Sequence, residues 1–156
     1  MDEGFKEYSF PFAVATFCED IRAEEGGRRS LMGVLGGSVF FPEMPINLPL
    51  FCIVTDLHLG LDPQIRNYRI VIDASWLNEP LASHSLTEAQ VREALKDKKV
   101  VGVVGYKLTA DMKFPGFNVP EEGVVRCWIE YGDTKLMAGA VHFVRSDQHK
   151  VIDRSS

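Results

Sequence analysis

The sequence predicts an all-β domain, an antiparallel β-sandwich of about seven to nine strands with one short surface helix. Three observations carry that expectation. Short runs rich in Val, Ile, Phe, Thr and Tyr recur between clusters of Gly, Pro, Asp and Glu. Alternating strand-helix-strand units, the mark of a parallel sheet, do not occur. The 156 residues, 46% of them hydrophobic, suffice for one core and not for two. The expected layout is an arm at 1–11, one domain at 12–145 and a polar tail at 146–156. A partly open barrel is the alternative, because counting strands does not show whether edges close.

Phe12 to Cys18 reads as the first strand, with Glu19-Asp20 as the turn-forming charges that end it. Gly26-Gly27 follows as a second turn signal. The run Ser30 to Leu35 is then expected to return antiparallel on the first strand, with Gly33, Gly36 and Gly37 marking a bulge or a close approach of backbones. Val39 to Phe41 forms another short strand before Pro42, Pro45 and Pro49, whose missing N–H groups suggest an extended crossover between sheets. Leu50 to Leu59 alternates between Phe51, Ile53, Thr55, Leu57 and Leu59 on one face and Cys52, Val54, Asp56 and His58 on the other.

Tyr68 to Ala74 sets Tyr68, Ile70, Ile72 and Ala74 against Arg69, Val71 and Asp73, the pattern of a sheet covered on one side. The helix is expected over Thr87 to Lys98, with Ser85 and Glu88 at capping-box spacing and an apolar stripe of Val91, Ala94 and Leu95. Val100 to Tyr106 reads as a strand buried on both faces, and Phe114-Pro115-Gly116 and 119–123 read as loops. Val124 to Tyr131 and Lys135 to Val144 close the chain as a hairpin around Gly132-Asp133-Thr134.

The charge is −5, from 17 Lys and Arg against 22 Asp and Glu. Residues 1–25 hold seven of those acids and two of the bases, so the other 131 residues balance at 15 of each. The excess acidity therefore belongs to the arm and the first strand turn. No general basic surface is present to displace counterions from nucleic acid, so a nucleic-acid partner is not expected. No apolar run approaches the ~20 residues that span a bilayer, and Met1-Asp2-Glu3 lacks a signal peptide's basic-then-apolar layout; no membrane partner and a cytoplasmic location are expected.

Catalytic signatures do not stand out. The chain has no GxSxG, no GxxxxGK[ST], no HExxH and no GxGxxG after a strand. His58, His84, His142 and His149 are scattered singly, and Cys18, Cys52 and Cys127 form neither a CxxC motif nor an even disulfide framework. Cys18 stands beside Glu19-Asp20, whose carboxylates disfavour a reactive thiolate. His84 between Ser83 and Ser85 is the one imaginable nucleophile-base pair, expected in a loop before the helix. The acid pairs Glu19/Asp20, Glu24/Glu25 and Glu121/Glu122 lack the alternating spacing that turns carboxylates toward a calcium ion. No catalytic residue, metal or cofactor is assigned.

Candidate contact residues are Glu19, Asp20, Arg22, Arg66, Arg69, Trp76 and Trp128. Arg22 stands within reach of Glu19 and Asp20, either as a hairpin ion pair or as a guanidinium fork for a carboxylate or phosphate. Trp128 shares a strand face with Val124, Arg126 and Glu130, a mixed surface on which tryptophan serves as a contact anchor.

Residues 12–37, with Cys18-Glu19-Asp20-Ile21-Arg22, a Gly-containing turn and Ser30-Leu31-Met32-Gly33-Val34 before Gly36-Gly37, resemble the opening of an uncharacterised family of small microbial and phage-associated proteins. The resemblance implies a β-sandwich and carries no activity. The leading functional expectation is a non-catalytic binding or self-assembly module, a homo-oligomer or the partner of another protein. The alternatives are a phage or host-defence type of protein that sequesters a small anionic ligand, a nucleotide or metabolite, through Arg22, Arg66 or Arg69 with stacking on Tyr68 or Trp76, and a hydrolase built on His84 or Glu19/Asp20.

Overall fold

A computed structural model describes residues 9–96 and 105–146. The chain runs β1 (Phe12–Cys18), β2 (Asp20–Ala23), a 3-10 turn at Glu25–Gly27, β3 (Arg29–Met32), β4 (Ser38–Phe41), β5 (Ile46–Gly60), β6 (Tyr68–Ala74), β7 (Ala82–Leu86), α1 (Glu88–Lys96), β8 (Tyr106–Val119), β9 (Gly123–Tyr131) and β10 (Thr134–Arg145). Three sheets result, in the orders β1-β5-β8, β4-β10-β9-β6-β7 and β2-β3. The first two face each other as an all-β sandwich and do not close into a barrel. The described residues hold ten strands, one above the expected range, and β4 pairs with β10 in parallel within an otherwise antiparallel structure.

The alternation read in β6 is the alternation observed: Tyr68, Ile70, Ile72 and Ala74 are buried in the core, while Arg69 and Asp73 face outward. From β5, Phe51, Ile53 and Leu57 meet that core from the other side. Phe51 is its centre, with ring centroids 4.5 Å from Phe117, 6.0 Å from Phe143, 6.1 Å from Phe17 and 6.2 Å from Phe114. Thr55, the one buried polar residue among those described, shares its hydroxyl with the Cys127 thiol at 3.3 Å.

The N-terminal region departs from expectation. Glu19-Asp20 does not end in a turn. The chain continues from Asp20 as β2, and β3 pairs with β2 (Ile21 opposite Leu31), not with β1. The Asp20 carboxylate makes this possible, accepting from the Ile21 amide at 2.8 Å and from Arg22 Nε at 3.0 Å. The hairpin lies as a third layer outside β5, where Ile21 and Leu31 cover Cys18, Cys52 and Val54 in a small second core. Gly33, Gly36 and Gly37 belong to the link between β3 and β4 and do not form a bulge within a strand.

Several other differences come from strand pairing that composition does not reveal. The chain crosses between sheets at 42–45, but β5 begins at Ile46 and takes in Pro49, outside the Cys52–His58 stretch that pairs with β1. Pro115 and Gly116 lie within β8, an edge strand, where a missing N–H is tolerated. His84 is not in a loop but in β7, a Ser-rich strand held by β6. The helix starts on a box formed by Thr87 and Gln90, not Ser85 and Glu88: the Thr87 amide donates to Gln90 Oε1 at 2.9 Å and the Gln90 amide to Thr87 Oγ1 at 3.2 Å. The expected strand Val100 to Tyr106 lies, up to residue 104, outside the described residues, as do the end of the helix at 97–98 and most of the arm and tail.

Candidate functional site

The expected contact residues do not converge. Asp20 and Arg22 pair across the hairpin surface, Arg22 being 63% exposed, and the guanidinium at Arg22 holds the Asp20 carboxyl below the usual range. This geometry is that of a hairpin ion pair. Glu19 is exposed and packs over Gly33, where φ is +60° and a Cβ would stand 2.4 Å from Glu19 Oε2. Trp76 lies beyond the far end of β6, half-buried against Phe117 and Phe143 at 6.3 Å each. Tyr68, a proposed stacking group, is buried with its hydroxyl donating to the Gln64 carbonyl at 3.0 Å, so its ring offers no open face.

Arg69 and Trp128 do share a neighbourhood, on the outer face of the five-stranded sheet, whereas Arg66 lies over Tyr131, which packs against the core. Strand pairing lines up Arg69 with Glu130 and Lys135, and beside them Val71 with Trp128 and Met137. Glu130 is the hub. Its carboxylate accepts from the Trp128 indole N–H at 3.0 Å and stands 3.7 Å from both Arg69 Nη1 and Lys135 Nζ. Lys135 lies over the Trp128 ring at 5.3 Å, and Arg66 over Tyr131 at 4.9 Å. An open hollow of about 410 Å³ borders this group, lined in part by Asn67, Arg69, Thr87 and Tyr131. Two of its cations already have a carboxylate between them. The nearby helix start is also occupied, since the Glu88 amide donates to Asn67 Oδ1 at 2.7 Å.

Glu130 therefore titrates below an ordinary glutamate, held down first by the Trp128 N–H and then by Lys135 and Arg69. The folded state gains from this above the unfolded pKa, and loses the gain as pH falls through the depressed folded value. Glu130→Gln is expected to flatten the acid limb of the stability-pH curve by at most about 1 kcal/mol, since surface pairs contribute little. Urea unfolding at pH 7 and at pH 3 measures it; an unchanged acid limb would show that the hub is not formed in solution.

His84 is exposed on β7 between Ser83 and Ser85. Successive strand residues point to opposite faces, so neither hydroxyl shares a side with the imidazole. Among the described residues no three His, Cys, Asp or Glu side chains gather as a metal site, and no helix is long and apolar enough to cross a membrane.

The sandwich flanks present a different kind of surface. Strands β4 and β7 are the edges of the five-stranded sheet. Strand β4, Ser38-Val39-Phe40-Phe41, carries neither charge nor proline, the usual protections of an open edge. Its inner residue Phe41 stacks on Phe143 at 6.2 Å, while Phe40 projects outward at 65% exposure, the most exposed large hydrophobic side chain among the described residues. Edge β8, in contrast, contains Lys107, Asp111, Lys113 and Pro115. At β1 the Phe17 carbonyl is already taken by the Leu35 amide at 2.8 Å.

Phe40 and Glu130 do not stand out in the sequence. Glu130 is visible there only as a neighbour of Trp128 on one face, and Phe40 only as part of a short apolar run. No family model, no curated protein and no solved structure matches the chain.

Proposed function

We propose that the protein is a non-catalytic self-assembly module whose copies join through β4, the uncharged edge of the five-stranded sheet. The observation that carries this reading is Phe40, 65% exposed on an edge strand with no charge and no proline. Two β4 strands related by a two-fold axis pair antiparallel, satisfy each other's free backbone groups and bring their Phe40 side chains out of water. No like charges meet across such a pair, which removes the commonest repulsion between edges. The Trp128 face continues the same sheet surface and gives a second, more polar contact area.

Light scattering coupled to size-exclusion chromatography tests the proposal. The expected result is a mass above the 17.5 kDa of one chain, rising with concentration. Burying a phenylalanine side chain is worth about 1.5–3 kcal/mol, and a two-fold contact counts it twice. Phe40→Lys is therefore expected to weaken association at least about a hundredfold. A wild-type chain that stays at the monomer mass at every concentration, or a Phe40→Lys chain that associates like wild type, overturns the β4 interface.

A further inference from the structure

Two of the three cysteines meet. Cys18 ends β1 and Cys52 lies in β5, and strand register places them directly opposite each other. Both are fully buried, in the same small cluster. Residues opposite each other in an antiparallel pair have Cα atoms about 4.5 or 5.5 Å apart, both within the range a disulfide spans. Cys127 lies in the other sheet and bonds to Thr55.

We propose that Cys18 and Cys52 are a redox-convertible dithiol, oxidised to a cross-strand disulfide by a low-molecular-weight disulfide such as glutathione disulfide. One cysteine, as thiolate, attacks a sulfur of the oxidant, forming a mixed disulfide and releasing one glutathione thiolate. The second cysteine, as thiolate, attacks the protein sulfur of that mixed disulfide, closing the Cys18–Cys52 bond and releasing the second glutathione. The two cysteine protons end on the two glutathione thiols. Two electrons pass from the protein to the oxidant.

The β2–β3 hairpin sets access to this pair. Ile21 and Leu31 of the hairpin, with Leu50 of β5, pack with the two cysteines in a small cluster separate from the main core. Two contacts clasp the hairpin to β8: the forked ion pair of Arg29 with Asp111, and the Lys113 ammonium donating to the Ile21 carbonyl at 3.0 Å. Burial pushes both thiols up, and on Cys52 Lys113 pulls the other way. With the hairpin closed the thiolate is disfavoured and shielded. Lifting the hairpin is a local opening that leaves the main core intact, and it exposes both sulfurs beside a lysine.

The test uses the full chain equilibrated in buffers of rising glutathione disulfide to glutathione ratio, quenched with N-ethylmaleimide and read by intact mass and peptide mapping. The expected product has lost the mass of two hydrogens and carries one Cys18–Cys52 link, with Cys127 alkylated after unfolding. Cys52→Ser should abolish the link. Asp111→Asn, which loosens the clasp and keeps both cysteines, should speed oxidation by up to about fivefold without changing the product. Three outcomes overturn the proposal: both thiols still reduced at the highest ratio in wild type and Asp111→Asn alike, glutathione adducts that never resolve into the link, or a link that includes Cys127. Unchanged oxidation kinetics in Asp111→Asn would overturn the role of the hairpin.

Discussion

Phe51→Ala is expected to lower the unfolding free energy by about 3–5 kcal/mol and the melting temperature by on the order of 10 °C. The size of the effect follows from position. Phe51 is fully buried and lies where both sheets meet, within 4.5–6.2 Å, centroid to centroid, of Phe17, Phe114, Phe117 and Phe143. Those neighbours come from β1, β8 and β10, so they cannot collapse together into the space without moving three strands. Removing the ring loses its transfer free energy and leaves most of a cavity behind. Phe40→Ala is the contrast, because that side chain is already 65% exposed and its loss should change monomer stability by less than about 0.5 kcal/mol. Urea denaturation of both variants below the association concentration measures the difference. Equal losses would mean that the aromatic core is not packed around Phe51.

How far the fold can be read from the sequence depends on whether a strand's environment is local. Strand β6 carries its faces in plain alternation, and its burial follows that pattern, apart from Val71, which is 2% exposed although it points outward beside Trp128. Strand β5 says more. Its odd positions feed the main core, while its even positions change from Cys52 and Val54 to Asp56 and His58. That change follows the cover: Cys52 and Val54 lie under the β2–β3 hairpin, and Asp56 accepts from Thr109 Oγ1 at 2.6 Å on the part of the sheet beyond that small core.

What composition leaves hidden is held by contacts that only the folded chain supplies. Strand β2 begins on an acid that satisfies its own neighbours, so Glu19-Asp20 reads as a turn. Strand β7 has little intrinsic preference for extension and exists through its ladder with β6. The same reason hides the candidate interface. Phe40 looks like an ordinary core residue until the parallel pairing of β4 with β10 places that strand at an edge. The Arg69–Glu130–Lys135 group likewise needs three strands in register: Glu130 and Lys135 share the closing hairpin, but Arg69 comes from β6, far earlier in the chain.

Gly123→Val is expected to cost about 3 kcal/mol, although the residue lies near the surface at the start of β9. A Cβ at Gly123 would stand 2.3 Å from Ser75 Oγ and 2.8 Å from Cε3 of Trp76. Ser75 cannot yield without loss, because its Oγ accepts from the Val124 amide at 2.9 Å and its own amide donates to the Val124 carbonyl at 2.9 Å. Trp76 cannot yield without leaving Phe117 and Phe143. The added side chain therefore breaks the bond between the end of β6 and the start of β9, or unseats the indole that caps the aromatic core. Gly132→Ala is the control. At φ +53° it meets nothing within 4 Å, so its cost is the backbone preference alone, about 1–2 kcal/mol. In a Trp128→Phe background, where Trp76 is the remaining indole, Gly123→Val should also shift fluorescence to longer wavelength as the ring meets water. A Gly123→Val chain as stable as Gly132→Ala, with unshifted emission, would show that Trp76 does not seat on Gly123 and would reopen its assignment as a ligand-stacking residue.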